Sequence, residues 1–489
     1  MKILTKLINK IKSLDFLFLT FSTVACSAMS FVFNVYTKRI VPEEPMGISS
    51  LSLMIVAYLN YAQLGVLNAY NRDYPQALGR KDYADAQKQR NIAITFMLMM
   101  YTLIFVVFEA WVFLKFNDQF GSDQMTTYRA YGYALCPIMI FLKSFDDMAN
   151  NTVRMKGFYN KSAIIGFLRT VLAFAIGFVC VNRFGYYGLY AMTIASALLG
   201  ILFFYKDAYK GAKLDFDFKY MKMMVVGGIP LLINSLIWTM VQNVDKHVII
   251  TFFKNLPKTT DAYLGIYTVA NMGFSTMVLI PMTIGQVFYI KIGRMYGAGA
   301  TKEELLEKSS LFTSLTAAIS GAACIMVLYI LPIFVQIVMP KYTAGTTAAQ
   351  ILIVGVAIYS TTIIFGQIFS VLKLNKSLIA NSVALCIFNV IFSSALVLFL
   401  GRSLNMVALG TGISYALYSL LLMIKLSMKF KYSFLKLITA SWLPLLAIVI
   451  PGIVFYLVCD SIYVAAGLAL FTAAVVCGII TRLYFRVRG

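Results

Sequence analysis

INSLIWTMVQNVDKHVII, residues Ile233 to Ile250, is apolar enough to cross a bilayer, yet it sets Asp245 and Lys246 side by side near its end. A charge at the centre of a membrane helix costs roughly 2.5–3.5 kcal/mol on insertion scales, so the pair needs a reason to be there. At ~100° per residue, Ser235, Thr239, Gln242 and Lys246 share an arc of about 60°, and Asn234, Trp238 and Asp245 form the adjoining stripe. A polar face of that length is expensive against lipid and is expected to point into a helix bundle or a wet cavity. Two readings stay open: a packing seam in which Asp245 pairs with a neighbouring cation, or a lumen-lining stripe that binds cargo.

Working outward, the chain has 489 residues, 60% of them hydrophobic and only 13% charged, against about 25% charged in soluble domains. Apolar runs near twenty residues recur along its whole length, too long and too continuous for the alternating ten-residue strands of a membrane barrel. The expected fold is therefore all-α and polytopic. The seven cysteines fall singly in apolar runs, which suggests neither a disulfide framework nor a zinc site, and His247 is the only histidine. Paired-histidine metal or haem chemistry is excluded, and no cofactor is expected.

Fourteen spans can be drawn, opening with Phe16 to Tyr36 and Met46 to Ala69 and closing with Ile438 to Val458 and Ile462 to Tyr484. With the N-terminus inside, 30 of the 42 Lys and Arg fall on inner segments, nine on outer ones, and Lys143, Arg169 and Lys246 within spans. That bias follows the positive-inside rule and puts both termini in the cytoplasm of a multi-pass inner-membrane protein. The net charge of +22 is thus read as orientation beside anionic lipid rather than as nucleic-acid binding. Residues 1–14, MKILTKLINKIKSL, carry an apolar face and a lysine face and are expected to lie uncleaved on the inner surface.

EEPMGISSLSLMIVAY (Glu43 to Tyr58) is echoed by DAYLGIYTVANMGFST (Asp261 to Thr276), and each copy is followed by a basic, glycine-containing segment. Both copies enter the membrane in the same direction, so two pseudo-symmetric six-helix lobes about a central cavity are expected. The lobes span 15–210 and 211–432, and 433–489 adds two C-terminal helices.

These segments carry a resemblance. KRIVPEEPMGISSLSL, QLGVLNAYNRDYPQALGRKD, GIPLLINSL, VDKHVII and LGIYTVA are similar to segments of the polysaccharide exporters, the Wzx-type flippases of the multidrug/oligosaccharidyl-lipid/polysaccharide exporter superfamily. The match runs over essentially the whole chain. It departs from the pattern at Tyr74-Pro75, where proline is expected to break an inner loop, and at Lys246, where arginine is commoner. The resemblance implies alternating-access transfer of a lipid-linked (polyprenyl-pyrophosphate) oligosaccharide from the inner to the outer leaflet, for O-antigen, capsule or another surface glycan. Its partners would be the cargo, membrane lipid, a proton or sodium ion, and glycan polymerases or ligases.

The intramembrane residues suit that cargo. Arg and Lys neutralise phosphate through charge-assisted hydrogen bonds, and an aromatic ring such as Trp238 can stack on sugar faces. Lys246, Arg169, Asp245, Gln242, Trp238, Asn234, Arg72 and Lys143 are the candidate cargo-binding residues. For Arg72 a boundary charge is an equal reading, and for Lys143 a local ion pair with Asp146 and Asp147 is the competing one. The alternative function is a cation-coupled drug or small-molecule antiporter. Such a carrier would want a carboxylate inside the first lobe, where only Glu109 stands unpaired. The outer segments are short and lack clustered acid and base groups, so no enzyme is expected. A sole cysteine placed at Asn255 or Ser403 should be labelled from outside the cell and one at Lys213 from inside; the reverse pattern would overturn the topology.

Overall fold

The computed structural model describes residues 22, 25–117, 121, 123–372 and 374–486; the amphipathic lead and the start of the first span lie outside them. The described residues form helices without strands. In order these are α1 (25–40), α2 (Glu43–Leu59), α3 (Val66–Gly79), α4 (Tyr83–Phe116), α5 (Gln124–Met155), α6 (Tyr159–Phe184), α7 (Ala191–Ala208) and α8 (Phe218–Phe252). There follow α9 (Thr260–Gly297), α10 (Lys302–Val338), α11 (Thr346–Val371), α12 (Asn375–Phe399), α13 (Leu404–Phe430), α14 (Phe434–Val458) and α15 (Ile462–Arg486). Where no water can serve the backbone, a helix satisfies its own amides and carbonyls. Its exposed ends are capped by side chains: Asp123 accepts from the Met125 and Thr126 amides, and Thr301 with Glu304 forms a capping box on α10.

Among the described residues ten helices are long and apolar enough to cross a membrane, and the bent pair α2–α3 adds an eleventh. The sequence reading drew fourteen. The lower count leaves out α1, whose start lies outside the described residues, and α5, whose Lys143, Asp146, Asp147 and Arg154 dilute its apolar character, and it takes as one α6 and α7, which follow each other across a 3-10 turn at Gly185–Tyr190 but pack on each other.

The chain divides into two compact units, Met1–Thr239 and Met240–Gly489, and the division falls inside α8. In the first unit α5 packs on α2, α4 and α7, and α6 packs on α7. In the second unit α11 is the hub: it packs on α9, α10 and α13 and is buried along most of its length. There α14 and α15 pack on α10 through Ile325, Leu328, Tyr329, Ile448, Ala465 and Ala469.

The second span is not one helix. α2 ends in a 3-10 turn at Asn60–Gln63, Leu64 and Gly65 take left-handed backbone (φ 49° and 84°), and α3 leaves at 56° to α2. Gln63 caps the new start, its side-chain oxygen accepting from the Leu67 amide at 2.6 Å. Pro75, expected to break a loop, instead lies within α3.

The break is held against α8, where Pro230 removes an internal hydrogen bond. A Cβ on Gly228 would stand 2.0 Å from the Gly65 carbonyl oxygen, so the two backbones touch directly. At the start of α8, Lys88 donates to Asp217 at 2.7 Å and the Tyr220 hydroxyl to Asp85 at 2.7 Å. The bond from Lys88 holds the Asp217 carboxyl below its ordinary value, so this tie persists near neutrality and loosens only on acidification. Gly228→Ala should destabilise the protein by roughly 1–3 kcal/mol through overpacking. Thermal unfolding in detergent checks it, and an unchanged midpoint would refute the contact.

Candidate functional site

The polar stripe of α8 is distributed over the two units. In the first, Asn234 and Ser235 are exposed and Trp238 and Thr239 half-buried. The Tyr61 hydroxyl, from the turn before the break, donates to the Ser235 carbonyl at 2.7 Å and lies 2.5 Å from the Thr239 hydroxyl. In the second unit Gln242 is exposed, Asp245 buried and Lys246 half-buried.

Asp245 is the centre of a polar knot joining four helices of the second unit. One carboxylate oxygen accepts from the Tyr267 hydroxyl of α9 at 2.5 Å, the other from the Thr411 hydroxyl of α13 at 2.5 Å. Around that same Thr411 oxygen stand the Asn389 side-chain oxygen of α12 at 3.0 Å, the Val407 carbonyl at 3.2 Å and the Ser393 hydroxyl at 3.4 Å. Ser393 itself donates to the Asn389 oxygen at 2.9 Å. One Thr411 proton cannot serve all of these acceptors, and the Asn389 amide nitrogen has no hydrogen-bond partner among the described residues. A proton on Asp245 or a small hard cation is the chemistry such a set suits. No group of three or more His, Cys, Asp or Glu that could hold a metal occurs among the described residues. Lys246 makes no hydrogen bond or direct ion pair to another described residue; adjacent Asp245 attracts it only at a distance, because its oxygens bond Tyr267 and Thr411.

In the first unit the charges are arranged differently. The Arg169 guanidinium of α6 bonds Asp146 of α5 as a largely buried ion pair. The pair fits because position 200 of α7 is glycine: a Cβ there would collide with both the Asp146 carboxylate and the guanidinium. Helical spacing offers Lys143 as a partner for Asp146 and Asp147; Arg169 takes Asp146, and Lys143 stands exposed, near enough to act on both aspartates but with no direct ion pair among the described residues. Long-range packing of α5 on α6 overrides the i, i+3 neighbour. Arg72, on α3, makes a two-pronged bond with adjacent Asp73 and donates to the Gly227 carbonyl at 3.1 Å.

Residues that sequence reasoning passed over are Tyr61, Tyr267, Asn389, Ser393 and Thr411. Tyr267 sits in the LGIYTVA segment of the repeat, and Asn389 is a polar residue inside an apolar run, a signal that marks functional positions in membranes. Removing one partner of the buried pair, as in Asp146→Leu, should cost about 3–5 kcal/mol, whereas Asp146→Leu with Arg169→Leu should cost much less. Unfolding midpoints of the three variants test this, and a double variant no more stable than either single one would show that the pair is not the issue.

Comparison with known proteins gives the context. A family model described as polysaccharide biosynthesis protein matches residues 14–290. No curated protein matches the sequence. Among solved structures, the lipid II flippase MurJ in an inward closed conformation is 14% identical, covering 96% of this chain and 98% of its own, with a TM-score of 0.72. A multidrug resistance MATE family transporter of the MOP superfamily, inward-facing, is 14% identical over 82% of this chain and 94% of its own, with a TM-score of 0.65. A MOP superfamily transporter from Pyrococcus furiosus, described as having a binding pocket of reversed polarity, is 14% identical over 85% and 95%, with a TM-score of 0.60. At that identity these likenesses speak for the fold alone, an all-helical multi-pass membrane fold. With more than half of its length matched by the family model, the chain belongs to the polysaccharide biosynthesis protein family, and it has the fold of these MOP superfamily structures.

Proposed function

We propose that the protein is a flippase that moves a polyprenyl-pyrophosphate-linked oligosaccharide from the cytoplasmic to the outer leaflet of the inner membrane by alternating access, both termini cytoplasmic. In this reading the fourteen spans form two six-helix lobes, 15–210 and 211–432, with 433–489 added. The observation that carries it is the state of the intramembrane cations. Lys246 makes no direct ion pair with another described residue, adjacent Asp245 acting on it only at a distance. A cation inside a span without a counter-ion is costly, and a pyrophosphate passing by supplies what the chain omits. Asp245, Gln242, Trp238, Asn234, Arg72 and Lys143 remain candidate contacts. Arg169, already neutralised by Asp146, is a weaker one unless the pair opens to admit cargo.

This favours the flippase over the antiporter of organic cations. Of the first unit's acids, Asp146 is tied to Arg169 and Asp147 lies among Lys143, Arg169 and Arg154, which leaves little to attract a positive drug. The membrane potential also helps: outward movement of uncompensated negative charge gains roughly 2.3 kcal/mol per charge per 100 mV. Ion coupling fits the oxygen-rich knot at Asp245, where a proton or sodium ion would be taken up, and where Thr411, Asn389 and Ser393 would sense it. Glycan polymerases or ligases acting on the outer leaflet would consume the product, an O-antigen, capsule or related precursor.

Lys246→Ala should lower surface glycan export by at least about tenfold at normal membrane protein levels, the worth of one charge-assisted bond. Lys246→Arg should retain more export than Lys246→Gln. Full export in Lys246→Ala cells would remove the cationic-site reading.

A further inference from the structure

The break in the second span is the feature that the flippase reading leaves unused. Leu64 and Gly65 interrupt an apolar run, Met46 to Ala69, that would otherwise cross the membrane as one helix. Irregular backbone is tolerated at such depth where it is buried in protein or lines a water-filled cavity, and discontinuous helices in transporters mark cargo sites. Gly65 is buried against Gly228, whereas Leu64 is 43% exposed.

Beside the exposed side runs the first half of the α8 stripe. Asn234 and Ser235 are exposed, and the Asn234 amide makes no hydrogen bond to another described residue. An unpartnered amide on a span is expensive in hydrocarbon, so this face is wet. Tyr61 ties the two elements together, donating to the Ser235 carbonyl at 2.7 Å and lying 2.5 Å from the Thr239 hydroxyl. The resulting surface, wholly within the first unit, holds two aromatic rings, an amide and two hydroxyls but no charge. Neutral donors and acceptors beside flat apolar rings recognise polyhydroxylated rings rather than phosphate.

We propose that Tyr61, with Asn234, Ser235 and Trp238, forms a glycan-binding subsite at the break of the second span, apart from the cations that take the pyrophosphate. This rests on the flippase reading and assigns the sugar half of its cargo. Tyr61 both touches a sugar hydroxyl and positions the stripe, so its phenol is a specificity residue.

The test uses the full chain in lipid vesicles, with Trp111 and Trp442 replaced by Phe so that Trp238 is the sole tryptophan. Two probes are titrated: the lipid-linked glycan that accumulates in cells lacking this protein, and bare polyprenyl pyrophosphate. Trp238 emission should respond to the first and not to the second. Tyr61→Phe should weaken binding of the glycan-bearing lipid by roughly three- to tenfold, the loss of one hydrogen bond, and leave the bare lipid unaffected. Equal weakening for both lipids, or for neither, would overturn the proposal. Independently, Leu64→Cys and Asn234→Cys, on a background freed of native cysteines, should react with a membrane-impermeant thiol reagent; two unreactive cysteines would also overturn it. If the unsubstituted chain answers to neither lipid while both cysteines react, the flippase reading itself fails, and the glycan assignment with it.

Discussion

A charge or a free backbone group inside hydrocarbon has no water to turn to, and that single constraint shapes most of what is specific about this protein. It makes every described span a helix, and it forces each intramembrane polar residue to find a partner, a wet face or a ligand. Arg169 and Asp146 find each other, at the cost of a position on α7 that only glycine can occupy. Asp245 finds the hydroxyls of Tyr267 and Thr411. Lys246 makes no direct bond to another described residue, and the proposed cargo chemistry begins there.

Two of the buried acids, Asp146 and Asp245, therefore have different characters. Asp146 is closed into an ion pair whose charges cancel, a stabilising arrangement only while both partners are present. Asp245 is embedded in neutral hydroxyls and amides that orient it without cancelling its charge. The first arrangement suits a structural strut and the second a site whose occupancy can change. α8 carries the second on its far half, while its near half holds the break of the second span through Gly228 and Tyr61.

Much of the fold was legible in the sequence because its cause is compositional. Apolar runs near twenty residues specify membrane helices whatever their neighbours, and the polar stripe from Asn234 to Lys246 follows from helical spacing alone. The break at Leu64-Gly65 was missed because the surrounding run stays apolar, and a glycine within such a run is common in membrane helices. Pro75 misled in the opposite sense: a proline suggests a break, yet α3 runs through it. The pairing of Arg169 with Asp146 could not be read either. Spacing along one helix offers Lys143, and only the packing of α5, α6 and α7 brings the arginine closer. The partners of Asp245, Tyr267 and Thr411, lie 22 and 166 positions away in sequence, and no local rule reaches that far.

The backbone contact between Gly65 and Gly228 has a genetic consequence. Every single-base change in a glycine codon that alters the amino acid adds at least a β-carbon, and at either position the added atom would press on the other residue's main chain. The pair thus behaves as a lock without a neighbouring key in codon space: drift at one glycine cannot be relieved by a smaller residue at the other, because none exists. Loss-of-function alleles from random mutagenesis are accordingly drawn to these two codons, although neither residue offers a functional group to any cargo.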